Sequence, residues 1–133
     1  MVVPFNGILN LLSYLRRKNF NLGIVTSLPS IYAIKEIKAA NLGPFRCLVC
    51  YHDTSLHKPY PQPIIKALEK LDSNPNHTIY IGDQLADILA GKAANVKTGI
   101  VLWGVLSKNW DLLLKAKPMF VFYEVNDILN SLF

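Results

Sequence analysis

The ten residues Thr78-Ile79-Tyr80-Ile81-Gly82-Asp83-Gln84-Leu85-Ala86-Asp87 constrain this chain more than any other stretch. A short apolar run closed by turn chemistry reads as a buried strand. Leu85, Ile88 and Leu89, with Ala93 and Ala94 behind them, read as an amphipathic helix. Gly82 and Asp83 then occupy a strand-to-helix turn. In a parallel sheet such turns lie at the carboxyl ends of the strands, where ligands bind in open α/β folds. Asp83 at the turn and Asp87 one helical turn further on can face one crevice and hold a hard cation. Asp near the positive end of a helix dipole explains the same residues without a ligand, so both readings stand at this point.

The rest of the chain repeats the pattern. Ile8, Leu11, Leu12 and Leu15 have helical spacing within residues 7–18, and Asn19 is a terminator. Leu22-Gly23-Ile24-Val25-Thr26 is apolar until its last residue, as expected of a strand covered on both faces. Pro29 or Ser30 opens a second helix with Ile31, Ile34, Ile37, Ala39 and Ala40 in period, ended by Gly43-Pro44. Cys47-Leu48-Val49-Cys50-Tyr51 reads as the next strand. Prolines 59, 61 and 63 then delay helix until Ile64, Ile65, Leu68 and Leu71. After the central stretch come a strand at 98–103, a short helix capped by Ser107, a strand at 119–123 and a helix at 125–132. Strands alternating with helices mean βαβ units and a mostly parallel sheet in one domain over residues 1–133.

Composition narrows the function classes. A hydrophobic fraction of 51% with 17% charged residues describes a globular chain, and no apolar run reaches the ~18 residues of a membrane span. The amino end lacks a basic region and a cleavage site, so the expectation is a cytoplasmic protein without a membrane partner. The net charge of +5 is spread along the chain except for Arg16-Arg17-Lys18, which closes a helix where cations suit the dipole; no nucleic-acid partner is expected. Cys47 and Cys50 are three apart on a strand and so point to opposite faces. With no second pair for zinc, they read as buried thiols. Neither a Gly-x-Gly-x-x-Gly nor a Walker lysine motif is present.

The polar residues that follow strands form an ordered set: Thr26, Lys58, then Asp83 with Asp87. A hydroxyl, an ammonium and two carboxylates at the carboxyl ends of parallel strands are parts suited to a phosphoryl group and a magnesium ion. Thr26 and the amides after it can donate to phosphate oxygens, Lys58 can neutralise their charge, and Asp83 can ligate the metal.

On these residues the chain resembles the core domain of a haloacid dehalogenase-like phosphohydrolase, in the phosphoglycolate phosphatase-like branch. Gly23-Ile24-Val25-Thr26-Ser27 is similar to the family's second motif, Lys58-Pro59-Tyr60-Pro61 to the third, and Tyr80 to Ile88 to the fourth; Ala90 to Asn95 and Val101 to Gly104 also look like family sequence. The resemblance implies an α/β Rossmann-like core with helices on both faces of the sheet. It implies Mg²⁺-dependent hydrolysis of a small phosphate monoester through an aspartyl-phosphate. Thr26 and Ser27 would bind the phosphoryl group, with Ser27 where relatives often have asparagine. Lys58 would stabilise its charge, Asp83 would ligate Mg²⁺ and Asp87 would support that site.

One family element has no counterpart. The first motif, an Asp-x-Asp that supplies the nucleophile and the acid, occurs nowhere in the 133 residues. Nor is there a cap domain, which in this family selects the substrate. The resemblance places the missing strand between those ending at Thr26 and Gly82, so the expectation is a sheet with its central strand absent. Met1-Val2-Val3 could supply a strand fragment but no carboxylate, and Asp53 follows the edge strand, too far away. The implied partners are a small phosphorylated substrate or phosphate, and either a second copy or a partner chain that fills the gap. A non-catalytic phosphate- or metal-binding module is the alternative, and hydrolysis by this chain alone is not expected.

Overall fold

The computed structural model describes residues 7–132; Met1-Val2-Val3 lies outside the described residues. Eleven regular elements alternate: α1 (Ile8–Arg17), β1 (Gly23–Val25), α2 (Ser30–Ala39), β2 (Cys47–Val49), α3 (Gln62–Leu71), β3 (Ile79–Gly82), α4 (Leu85–Ala93), β4 (Lys97–Val101), α5 (Trp110–Lys115), β5 (Phe120–Phe122) and α6 (Val125–Leu132). All strand pairings are parallel, as the alternation requires.

The strands do not form one sheet. Among the described residues β1 pairs only with β2, and β3, β4 and β5 form a second sheet in that order. The break falls between β1 and β3, the position at which the family resemblance implies a further strand. The two sheets run in the same direction, because Lys58 in the loop after β2 reaches Asp87 in the first turn of α4, directly after β3.

Alternation along β3 shows that both faces are covered. Ile79 and Ile81 pack into a cluster with Leu11 and Leu15 of α1 and Ile128 of α6, whereas Tyr80 packs with Ile64 and Leu68 of α3 and Ala90 of α4. Successive strand residues point to opposite faces, so the helices form two layers with the strands between them. A third cluster joins Ile88, Ile100, Leu102 and Leu113, and a fourth joins Cys47, Val49 and Ala67. Both cysteines are buried and free, and burial pushes both thiols up from 9.0.

Local chemistry explains most element ends. Asn19 takes a left-handed conformation (φ 64°) after α1, and Asp72 does the same (φ 50°) after α3. Three expectations need correction. The period in α2 predicts Ile31 and Ile34 inside, yet they are 67% and 44% exposed while Ala33 and Ala40 are buried; the small residues allow close approach and turn the large ones outward. The same helix stops at Ala39, because Asn41 is left-handed (φ 55°) before Gly43-Pro44 is reached. Ser107 does not cap α5: it lies in a separate turn of 3₁₀ helix, Ser107–Asn109.

The basic run at the end of α1 divides. Arg16 donates to the carbonyls of Leu42 (2.6 Å) and Pro44 (2.7 and 3.1 Å), tying α1 to the turn after α2, while Arg17 and Lys18 are exposed. That is structural work for Arg16 rather than an anion patch.

Candidate functional site

Thr26 and Asp83 directly follow strands, whereas Lys58 lies in the loop after β2 and Asp87 in the first turn of α4. Thr26 follows β1 and is held in register by its N–H on the Val49 carbonyl (2.9 Å). Its hydroxyl oxygen accepts the Leu28 N–H (3.2 Å), which shapes the exit loop and leaves the hydroxyl hydrogen available to donate. Ser27 beside it is exposed.

Lys58 comes from the long loop after β2, which is pinned at several points. Asp53 accepts the Cys50 N–H (2.7 Å), Lys66 donates to the Asp53 carbonyl (2.7 Å), and the rings of Tyr51 and His57 stack at 4.2 Å. The lysine side chain is only 12% exposed, and its ammonium donates to Asp87 Oδ1 at 2.6 Å and to the Tyr80 hydroxyl at 3.2 Å.

Asp87 is the hub. Its Oδ1 accepts from Lys58 and from the Tyr80 hydroxyl (3.2 Å), and its Oδ2 accepts the backbone N–H groups of Asp83 and Gln84, both at 3.1 Å. The last two bonds satisfy amides left unpaired at the start of α4 and set a carboxylate at the positive end of the helix. Gly82 makes the approach possible, since a methyl group there would collide with the Asp87 carboxylate.

Two carboxylates were expected to share one crevice, and the structure gives them different surroundings. Both oxygens of Asp87 are taken by four donors, whereas the Asp83 side chain is exposed beside it. Among the described residues no cluster of three or more His, Cys, Asp or Glu stands ready for a metal. The donor set therefore fits a magnesium ion only in part: Asp83 offers one carboxylate, and water and phosphate oxygens or further carboxylates would have to complete the shell.

Tyr80 was not among the sequence candidates. Burial and the neighbouring Asp87 carboxylate push its phenol well above the ordinary 10.0, so it stays a neutral donor to Asp87 and acceptor from Lys58. The available signal was a tyrosine in an otherwise aliphatic strand, because a buried hydroxyl needs a partner.

With this geometry in place, comparison with known proteins is informative. The family model for haloacid dehalogenase-like hydrolases matches residues 1–101. The protein named pyrophosphatase PpaX from Bacillus pumilus is 35% identical over 130 residues, covering 97% of this chain and 59% of the relative. Its namesake from Anoxybacillus flavithermus is 34% identical over 133 residues, covering 99% of this chain and 61% of the relative. Among solved structures, a protein proposed to be a phosphoglycolate phosphatase from Lactobacillus plantarum superposes with a TM-score of 0.82 at 29% identity, over 95% of this chain and 59% of that one. A hydrolase from Pseudomonas syringae superposes at 0.86 with 26% identity, over 98% and 60%. The chain thus spans about three-fifths of the length of these relatives.

Proposed function

Because this chain belongs to the haloacid dehalogenase-like hydrolase family, we propose that it forms the greater part of the core domain of a phosphohydrolase acting on a small phosphorylated substrate. Residues 1–133 constitute a single, incomplete domain in this reading. The observation that carries it is the Lys58–Asp87 pair, which fixes an ammonium at the carboxyl ends of the strands next to the exposed Asp83. Such a preset charge stabilises a phosphoryl group without reorganising during reaction.

The geometry supports the following roles in this reading. Thr26 donates its hydroxyl hydrogen to a phosphoryl oxygen, with Ser27 and the exit-loop amides beside it. Lys58 offsets the negative charge, and Asp87 with Tyr80 keeps its ammonium in place. Asp83 would hold Mg²⁺, which when bound supplies charge neutralisation at the phosphoryl oxygens. The nucleophilic carboxylate of the family chemistry is not in this sequence, and losing a nucleophile costs several orders of magnitude in rate. The substrate is either a phosphate monoester or, following the name of the PpaX relatives, a pyrophosphate.

A magnesium-dependent assay on p-nitrophenyl phosphate and on inorganic pyrophosphate, with Asp83→Asn alongside, tests the reading. The expected result is no turnover by the isolated chain, with Mg²⁺-dependent vanadate binding that Asp83→Asn weakens. Chain that binds neither ion nor vanadate would sink it. A second reading is a non-catalytic phosphate- or metal-binding module, in which Lys58, held by Asp87 and Tyr80, serves binding alone. It requires the same binding, but no turnover when the missing strand is restored.

A further inference from the structure

The outer edges of the two sheets, β2 and β5, are finished differently. At β2 the outward backbone groups are taken by the chain's own side chains: Lys70 donates to the Leu48 carbonyl (3.3 Å), and Asp53 accepts the Cys50 N–H (2.7 Å). That edge is closed to pairing. At β5 the alternation of a parallel ladder turns Phe120 and Phe122 toward β4, as the bond from the Leu102 N–H to the Phe122 carbonyl (2.9 Å) shows. Val121 therefore directs its N–H and C=O outward, and among the described residues neither group has a partner.

The side chains around this open edge match a copy of themselves. Met119 and Tyr123, 60% and 56% exposed, stand two residues before and after Val121 and share its face of the sheet. The Trp110 ring lies edge-on to Tyr123 at 5.7 Å and holds it in place. Charge is divided along the strand: Lys115 and Lys117 precede it, and Glu124 and Asp127 follow it. Lys117 and Glu124 are exposed, and among the described residues neither is in an ion pair. Two such strands set antiparallel about a dyad at Val121 exchange both N–H···O=C bonds between the two Val121 residues. The same register puts Met119 of each copy directly opposite Tyr123 of the other, a sulfur–aromatic contact. It also brings the basic end of each strand beside the acidic end of the other, whereas a parallel arrangement would bring like charges together. The Tyr123 N–H is already bonded to Asp127 Oδ2 (2.8 Å), so the shared ladder stops at the Val121 pair.

We infer that the outer edge of β5 is an interaction surface for a second copy of this chain, paired antiparallel through Val121, with Met119 against Tyr123 and Lys117 against Glu124. So short a ladder makes a small interface, and the dimer is transient, with a Kd on the order of 100 µM. This edge lies on the far side of β4 from β3, and the inference needs only the parallel fold, not the hydrolase reading.

The test is sedimentation equilibrium of the full chain from low micromolar to near-millimolar concentration, with charge reversals at the two exposed positions. Glu124→Lys and Lys117→Glu should each weaken self-association about tenfold, because the dyad places every substitution in the interface twice. The variant carrying both changes restores opposite charges across the dyad and should return to within about threefold of the parent. Register is read separately by oxidising cysteine variants with glutathione disulfide. A mixture of Met119→Cys and Tyr123→Cys chains should cross-link at least about tenfold faster than either variant alone, since opposed Cα atoms about 5.5 Å apart suit a disulfide. Monomer at every concentration would overturn the inference. So would association indifferent to the reversals, which would place the contact on another face, and so would cross-linking no faster in the mixture than in either variant alone. None of these readouts involves turnover, so the phosphohydrolase reading can fail or stand independently.

Discussion

Asp87→Asn preserves shape and removes charge, and the four contacts of this carboxylate dictate the consequence. An amide has one oxygen and one NH₂ group, so in either orientation its NH₂ meets two donors: Lys58 and Tyr80 on one side, or the amides of Asp83 and Gln84 on the other. A hydrogen bond to a charged group contributes about 1.5–3 kcal/mol, and breaking a buried ion pair from one side costs about 3–5 kcal/mol. The Lys58 side chain retains 12% exposure, so water offsets part of the loss and the lower end, about 3 kcal/mol, is expected. For a chain of this size that corresponds to a fall in Tm of about 10 °C. Urea unfolding of the parent, Asp87→Asn, Lys58→Met and the double variant closes a cycle that isolates the pair. Each single change should destabilise by about 2–4 kcal/mol, and the double by at least ~1.5 kcal/mol less than their sum. Strict additivity, with coupling below ~0.5 kcal/mol, would refute the claim that Asp87 exists to hold Lys58.

Other consequences are simpler to state. Tyr80 titrates above its ordinary 10.0 in the folded chain and at about that value when unfolded, so folding stability contributed by the neutral phenol is present below pH 10 and lost as pH rises beyond it; Tyr80→Phe should shallow that alkaline decline in a pH series of urea midpoints. Gly82→Ala drives a methyl group into the Asp87 carboxylate and should cost about 1–3 kcal/mol, read as a lower thermal midpoint. Cys47 and Cys50 should react with Ellman's reagent only at the rate of unfolding, since burial hides both thiols and raises them; immediate reaction of either in native chain contradicts the core described. Arg16→Ala removes three bonds to carbonyls and should destabilise by about 1–3 kcal/mol, whereas Arg17→Ala, on an exposed side chain, should change stability by less than ~0.5 kcal/mol.

Much of the chain was legible without coordinates because its signals are local. Apolar runs closed by Gly, Pro or Asn mark strands and helix ends whatever surrounds them, and all five strands lie where the runs place them. The order Thr26, Lys58, Asp83 along the sequence could be placed at strand ends for the same reason. Tertiary structure alone decided the rest, wherever a residue's role depends on what approaches it. Periodicity could not tell which side of α2 would face inward, because Ala33 rather than Ile34 suits a close contact. Spacing made Asp83 and Asp87 equivalent, and only the arrival of Lys58 and Tyr80 from distant elements separated an exposed carboxylate from one saturated by four donors. The sequence also shows that a nucleophile motif is absent. That β1 and β3 do not pair with each other among the described residues, and that a cavity lies between them, follows from packing, since a cavity is a property of several elements together and of none singly.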